Sequence, residues 1–275
     1  MTIDILPGIF FDDDLFIVLF FYGYYCFIKG GGMFKKLLLA TSLLSAVTPA
    51  FAATPSLSWK LPGSEELNQI TFGVTINAAA ARDQFYFANQ FSFTNGGDIG
   101  YTGIQPTVNT QTGERQFRVL FSSFRSDSFP QYPTCSGGAD GAKAGTTCRI
   151  LVPGSLGDTF RFEVTKVGER VSGVVENLTT GRKDIIGVWT VGTSAGSLAH
   201  SQIAWIENYK MNNANYKLTC DSTGWPYYEV KFLPPTGNDG KIQGTISGLN
   251  RGSDACPGAI TWTTDSTGTL VHGGF

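Results

Sequence analysis

The stretch that decides the fold is "FYFANQFSFTNGGDIGYTGIQ", residues 85–105. Its first half alternates phenylalanines with polar or small residues, which predicts a β-strand with one apolar face. The NGG sequence at 95–97 predicts a turn into a second strand. Because a phenylalanine ring carries no polar group, we expect the phenylalanine row to be core and the opposite face, with Tyr86 and Gln90, to be the candidate ligand surface. The phenylalanines of the row are Phe85, Phe87, Phe91 and Phe93.

The same period of two recurs in segments such as "ITFGVTIN", "RQFRVLFSSF", "DTFRFEVTKV" and "SQIAWIENY", and glycine-rich turns separate them. No segment after the first 52 residues shows a helical period. Roughly a dozen short strands at this spacing predict an all-β fold, a two-sheet antiparallel β-sandwich or jelly roll.

The segment from Met33 has the order of a secretory signal. Lys35 and Lys36 precede an apolar run over residues 37–47, and Ala50-Phe51-Ala52 supplies a small-x-small cleavage site. We therefore interpret residues 33–52 as a signal peptide cut near Ala52. The mature protein is then exported, to the periplasm or the extracellular space.

The residues ahead of this signal are unusual. The apolar run at 15–28 is shorter than the ~18 residues that span a bilayer. We expect translation to start at Met33, so that residues 1–32 are not part of the protein; an uncleaved membrane anchor is the alternative. Residues 53–275 are expected to form one β-sandwich domain, to which 211–275 either belong or are appended as a subdomain.

The composition excludes some functions and indicates crosslinks. The formal net charge is −2 and the basic residues are scattered, so no nucleic-acid surface is expected. Outside the leader four cysteines remain, an even number that favours disulfides in an exported chain. We prefer the pairs Cys135 with Cys148 and Cys220 with Cys256, because the first pair closes a glycine-rich loop.

One motif suggests a catalytic serine and is discounted. Residues 192–196 match G-x-S-x-G, but a nucleophile elbow needs a helix after it. The following residues alternate like a strand, so we interpret the motif as a turn and His200 as a strand-end residue rather than a general base.

Acidic residues offer a second route to catalysis. Glycoside hydrolysis needs two carboxyl groups on either side of the scissile bond. Glu207 is the most interesting candidate because Trp205 and Tyr209 share its strand face and together could hold a sugar. The alternative is a core tryptophan with an edge glutamate paired to an arginine. The other acidic candidates on strands are Glu163, Glu176 and Glu229.

Metals and cofactors have little support in the sequence. Asp140 and the Asn238-Asp239-Gly240 segment could supply oxygen ligands to calcium, but no aspartate-rich loop is present. No C-x-x-C pair exists for zinc. We expect no metal or cofactor, calcium being a weak exception.

Several ordered segments carry a family resemblance: "FANQFSFTNGGDIGYTGIQ", "RVLFSSF", "CRILVPGSLGDTFRFEV" and "VKFLPPTG". Over residues 85–237 the chain resembles an exported family known as domain of unknown function thirty-four seventy-two. The resemblance implies a β-sandwich related to lectin and glucanase jelly rolls. It implies no established activity and no catalytic residues.

The sequence therefore predicts a carbohydrate-binding, lectin-like protein whose partner is a polysaccharide or glycan. Aromatic rings suit the apolar faces of a sugar, and amides or acids suit its hydroxyls. One alternative is a polysaccharide hydrolase or lyase that uses Glu207, and another is a structural or adhesive envelope protein. The sequence predicts no oligomeric state. The predicted ligand-binding residues are Tyr86, Gln90, Tyr101, Gln105, Trp205, Glu207 and Tyr209.

Overall fold

The computed structural model describes residues 54–275, except 97, 140–141 and 252–254, together with the backbone of 19–21 and 24–26. The predicted signal peptide and its cleavage site lie outside the described residues. The chain divides into two compact units, residues 1–47 and residues 48–275. In the first unit, β1 (Leu19–Phe21) and β2 (Tyr24–Cys26) form an antiparallel hairpin.

The second unit is built of two antiparallel sheets, as the alternation predicts. The first sheet has eight strands in the spatial order β17-β3-β14-β5-β6-β7-β10-β9. Their bounds are β3 Ser56–Lys60, β5 Phe85–Ser92, β6 Ile99–Pro106, β7 Gln116–Ser123, β9 Cys135–Gly137, β10 Thr146–Pro153, β14 Ser201–Asn208 and β17 Thr245–Asn250.

The second sheet has nine strands, in the order β18-β19-β15-β4-β11-β12-β13-β8 with β16 paired to β15. Their bounds are β4 Gln69–Ala79, β8 Phe129–Pro130, β11 Thr159–Val167, β12 Arg170–Asn177, β13 Arg182–Thr190, β15 Tyr228–Gly237, β16 Ile242–Gln243, β18 Ile260–Asp265 and β19 Gly268–Gly273.

Two short 3₁₀ helices, Thr193–Ala195 and Tyr209–Asn212, flank β14. In the described part of the chain, no helix has the length and apolar character that crossing a bilayer requires. Residues 211–275 supply strands to both sheets: β17 joins the first, and β15, β16, β18 and β19 join the second.

The core lies between the sheets and confirms the predicted inward face. Phe85, Phe87, Phe91 and Phe93 are all at most 4% exposed and pack in one cluster with residues of the second sheet. Trp189 of β13 stacks on Phe91 at 6.3 Å between ring centroids. Each inward residue on β5 leaves its neighbour facing out of the sandwich, which creates the second face considered below.

Both predicted disulfides are present, Cys135–Cys148 and Cys220–Cys256. The first joins directly opposed residues of β9 and β10 and points into the core, where Cys148 is fully buried. It therefore fixes the short edge strand β9 to the sheet.

Candidate functional site

The outer face of the first sheet carries a cavity of about 1100 Å³, called the groove below. Its lining runs across the strands, from Asn250 on β17 to Ser136 on β9. With strands spaced ~4.8 Å apart, the seven steps from β17 to β9 correspond to roughly 34 Å. All of the predicted ligand-binding residues line this groove: Tyr86, Gln90, Tyr101, Gln105, Trp205, Glu207 and Tyr209.

One row of directly opposed residues, called the central row, crosses five strands of this sheet. The pairings place small residues at its centre, an indole at one end and a guanidinium at the other. The row consists of Trp205, Ala88, Gly103, Leu120 and Arg149.

Gly103 is required at the centre of this row. A Cβ at this position would lie 2.3 Å from the carbonyl oxygen of Phe87 and 2.7 Å from the Cα of Ala88. No larger residue fits without moving the backbone of β5. The same Cβ would lie 3.0 Å from Cε2 of Tyr86, so the absence of a side chain at Gly103 lets the ring of Tyr86 pack over it.

Three aromatic rings on this face of the sheet pack edge to face on one another. The centroids of Tyr86, Tyr101 and Trp205 are 5.9 to 6.0 Å apart in all three pairs. The residues are only 4%, 7% and 8% exposed, respectively. The rings therefore form a second small apolar cluster, and only limited parts of them face the groove.

Glu207 lies opposite Tyr86 on the neighbouring strand. Its Oε1 accepts a hydrogen bond of 2.8 Å from Nδ2 of Asn212, and its Oε2 accepts one of 3.5 Å from Nε1 of Trp205. The residue after β14 continues into the 3₁₀ helix that contains Asn212. The carboxylate is thus oriented by both its own strand and the helix that follows.

Gln105 occupies the same side of the groove as Tyr86, on β6. It lies one residue beyond the Phe87–Ile104 pair and directly opposite Arg118 of β7. Its Oε1 accepts a hydrogen bond of 3.2 Å from Nη1 of Arg118.

Asp83 neutralises Arg118 from the rim of the groove. Nη1 of Arg118 lies 2.9 Å from Oδ1 of Asp83, which also accepts a hydrogen bond of 2.7 Å from Thr107. Burial acts to raise the pKa of Asp83, but the hydrogen bonds from Thr107 and Arg118 outweigh it and the pKa is lowered. The carboxylate therefore stays ionised and compensates the charge of Arg118.

Tyr209 is half-buried at the end of the groove that carries Glu207. Burial, and then the negative charge of Asp83, raise the pKa of its phenol to about 12. The hydroxyl stays protonated at neutral pH and is able to donate a hydrogen bond.

The remaining acidic candidates lie on the second sheet and do not join Glu207. Glu163 and Glu176 are on β11 and β12, where they pair with Lys183 and Arg161. Glu229 is on β15 beside His272. Of the described residues that line the groove itself, Glu207 is the one carboxylate, while Asp83 lies outside the lining and pairs with Arg118.

The G-x-S-x-G segment is a turn, as predicted. Residues 193–195 form a 3₁₀ helix, and the strand β14 follows. His200 immediately precedes β14, and its Nε2 lies 2.9 Å from the carbonyl oxygen of Glu65. Neither Ser194 of this segment nor His200 lines the groove.

The calcium candidates divide into two cases. Asp140 lies outside the described residues. Asn238 uses its side chain within the fold, since Oδ1 accepts from the backbone N–H of Asn68 at 3.0 Å and Nδ2 donates to the carbonyl oxygen of Glu66. Over the described ranges, no group of three or more histidine, cysteine or acidic residues is arranged to hold a metal ion.

Several groove residues were not predicted from the sequence, because they come from strands for which no outward face was assigned or, for Phe124 and Asn212, from residues outside the strands. Alternation could have found two of them: Arg118 lies between Phe117 and Val119, and Arg149 follows Cys148, all three of which point inward. The residues that were missed include Arg118, Leu120, Phe124, Arg149 and Asn212.

No family model matches the sequence, and no curated protein sequence matches it either. Among solved structures, similarity is found to scytalido-glutamic peptidase with a peptide-based transition-state analogue, at 15% identity and a TM-score of 0.44 over 81% of this chain and 98% of that chain. SCP-B, a peptidase of the eqolisin family in complex with the tripeptide Ala-Ile-His, is similar at 14% identity and a TM-score of 0.43, over 81% of this chain and 98% of that chain.

The CBM2 module of the evolved Dit of Lactobacillus casei BL23 phage J-1 is similar at 14% identity and a TM-score of 0.29, over 56% of this chain and 68% of that chain. Similarities at this level assign no activity to the chain.

Proposed function

We propose that the groove binds a polysaccharide chain. The observation that carries this proposal is the convergence of rings, carboxamides and a carboxylate from β5, β6 and β14 in one open cavity that runs across the strands. Such a shape accepts a linear polymer rather than a small compact ligand. A few fixed polar groups among apolar walls are typical of ligand sites.

Each chemical component has a role in this proposal. The apolar edges of Tyr86, Tyr101 and Trp205 would contact the C–H faces of the sugar units. Glu207, Gln105 and Gln90 would exchange hydrogen bonds with the hydroxyls.

A hydrolase is the second candidate, favoured by the position of Glu207 and Gln105 in the groove, on the two strands that flank Tyr86. A glycosidase with two carboxyl groups lacks its second member among the described groove residues. A hydrolase with one carboxylate would use Glu207 as the base that takes a proton from water. The amide of Gln105 or a phenol would then donate to the developing oxyanion. An adhesive envelope protein would present exposed ring stripes without a concavity, whereas these rings line a cavity.

The experiment that tests these proposals measures retention and product release together. The purified protein with intact disulfides is applied to immobilised bacterial, fungal and plant polysaccharides, and to a protein substrate such as casein, and soluble products are assayed from the same wells. Glu207→Gln preserves the shape of the side chain and removes its charge. Glu163→Gln is the matched control, since that residue lies on the second sheet.

A binding protein is expected to retain a polysaccharide without releasing products, and Glu207→Gln should weaken retention while Glu163→Gln does not. Products that disappear in Glu207→Gln, with retention preserved, would establish the hydrolase instead. Absence of both retention and products would refute both proposals.

A further inference from the structure

We propose that the β10 end of the groove is an anionic subsite, so that the polysaccharide bound there carries acidic groups such as uronic acid carboxylates. This inference rests on the proposed function and adds the charge class of the ligand. It starts from the distribution of charge along the groove.

Three charged side chains line the described part of the groove: Arg118, Arg149 and Glu207. Arg118 is neutralised by Asp83 at 2.9 Å. Glu207 lies on β14 near one end, and Arg149 lies on β10 near the other. The charge of the groove therefore changes along its length, from negative toward β14 to positive toward β10.

Arg149 is free to engage a ligand. Its side chain is exposed and makes no hydrogen bond or ion pair with any residue that the structure describes. Its backbone is nevertheless fixed, because its N–H donates to the carbonyl oxygen of Thr134 at 3.0 Å. The adjacent disulfide ties the same two segments together. An exposed guanidinium on a rigid base is well suited to bidentate recognition of a carboxylate.

Hydroxyl groups surround Arg149 at this end. Thr147 and Ser136 line the groove on β10 and β9. Thr147 Oγ1 accepts a hydrogen bond of 3.2 Å from Ser122, which leaves its own O–H available to donate. A carboxylate accepts hydrogen bonds only, so a guanidinium and hydroxyl donors complement it.

The spacing fits a polymer that uses both ends of the central row. Trp205 and Arg149 are the ends of that row, four strand spacings or roughly 19 Å apart. A chain lying along the row would place one unit against the rings near Trp205 and an acidic unit several positions further along beside Arg149.

The test compares a polymer with and without its charge. Binding of polygalacturonate and of its fully methyl-esterified form is measured for the wild-type protein and for Arg149→Gln. Arg170→Gln is the matched control, because Arg170 is also exposed but lies on β12 in the second sheet. Arg149→Lys separates charge from bidentate geometry.

We expect the wild-type protein to bind the acidic polymer more tightly, and Arg149→Gln to weaken that binding by about tenfold, as for loss of one charged hydrogen-bonded contact. Arg149→Lys should be intermediate, and Arg170→Gln should match the wild type. Equal binding of both polymers, or an unchanged Arg149→Gln, would overturn the anionic subsite while leaving the glycan groove intact. Failure of every polysaccharide to bind would overturn the proposed function and this inference together.

Discussion

Gly187 of β13 packs directly against Cys148 of β10, in the opposite sheet. A Cβ on Gly187 would lie 2.4 Å from both Cβ and Sγ of Cys148 and 2.5 Å from Sγ of Cys135. The disulfide thus occupies the space that a side chain would need. The two sheets pack together here with sulfur on one side and no side chain on the other.

Gly187→Ala should therefore destabilise the protein. We expect the free energy of unfolding to fall by about 1–3 kcal/mol, the usual cost of overpacking a core, as measured by urea denaturation. Gly137→Ala is the control, because a Cβ there would have no neighbour within 4 Å. The control should change stability by less than about 0.5 kcal/mol. Equal stability of the two variants would contradict the packing described.

The second disulfide should contribute more through the unfolded state than the first. Cys220 and Cys256 are 36 residues apart in sequence, whereas Cys135 and Cys148 are 13 apart. In the chain-entropy model the longer loop corresponds to about 4 kcal/mol of stabilisation and the shorter to about 3 kcal/mol. Replacing Cys220 and Cys256 by alanine should lower the free energy of unfolding by about the larger amount. A loss below about 1 kcal/mol would show that the model does not apply to this loop.

The ion pair of Arg125 and Asp127 should make stability depend on acid pH. Hydrogen bonds from Arg125, at 2.8 and 2.7 Å, lower the pKa of Asp127. A carboxylate with a lowered folded-state pKa stabilises fully above its unfolded pKa of about 3.9, and the contribution disappears as pH falls through the folded pKa. Asp127→Asn should therefore lower Tm near neutral pH, and its difference from the wild type should narrow below about pH 3.

Asp239→Asn removes the same charge from an exposed turn and serves as the control. Its Tm should equal that of the wild type both near neutral pH and below about pH 3. A difference between Asp127→Asn and the wild type that stays constant with pH would contradict the assigned role of the pair.

Asp83→Asn should strengthen binding of an acidic polymer. The substitution removes the charge that compensates Arg118, so the groove gains a second uncompensated cation beside Gln105. We expect a several-fold increase in affinity for polygalacturonate at low salt, and a smaller one as salt screens the charge. Binding measured as a function of salt checks this, and Asp239→Asn should leave affinity unchanged. Weaker binding by Asp83→Asn would mean that Arg118 needs Asp83 to hold its position.

Much of the fold could be predicted from alternation alone. The phenylalanines of β5 are buried as expected because a period of two directs every second side chain to one face. The four cysteines paired as preferred, and the G-x-S-x-G segment is a turn followed by a strand. What alternation cannot supply is the order of strands in a sheet, since it depends on contacts between distant segments.

The candidate site was likewise predicted only in part, because alternation indicates which face a residue is on and not which strands are neighbours. Tyr86 and Tyr101 were assigned to an outward face correctly, and they share a groove with Trp205 because β14 pairs beside β5. Nothing local in the sequence indicates that pairing. The sequence also does not indicate that the three rings cover one another, which they do because three large side chains on adjacent strands come within contact distance.

The position of β3 in the first sheet bears on how the molecule reaches its native state. Leu57 pairs with Ala204 on one side and with Leu249 on the other. A strand near the start of the second unit therefore pairs only with strands near its end. Such pairing closes very long loops, and topologies dominated by distant contacts reach the native state slowly. A chain that ends before Ser201 would leave β3 with two open edges and would also lack β14. The groove therefore depends on strands from both ends of the domain, and a truncated chain would present the sheet edge that sandwiches normally cover.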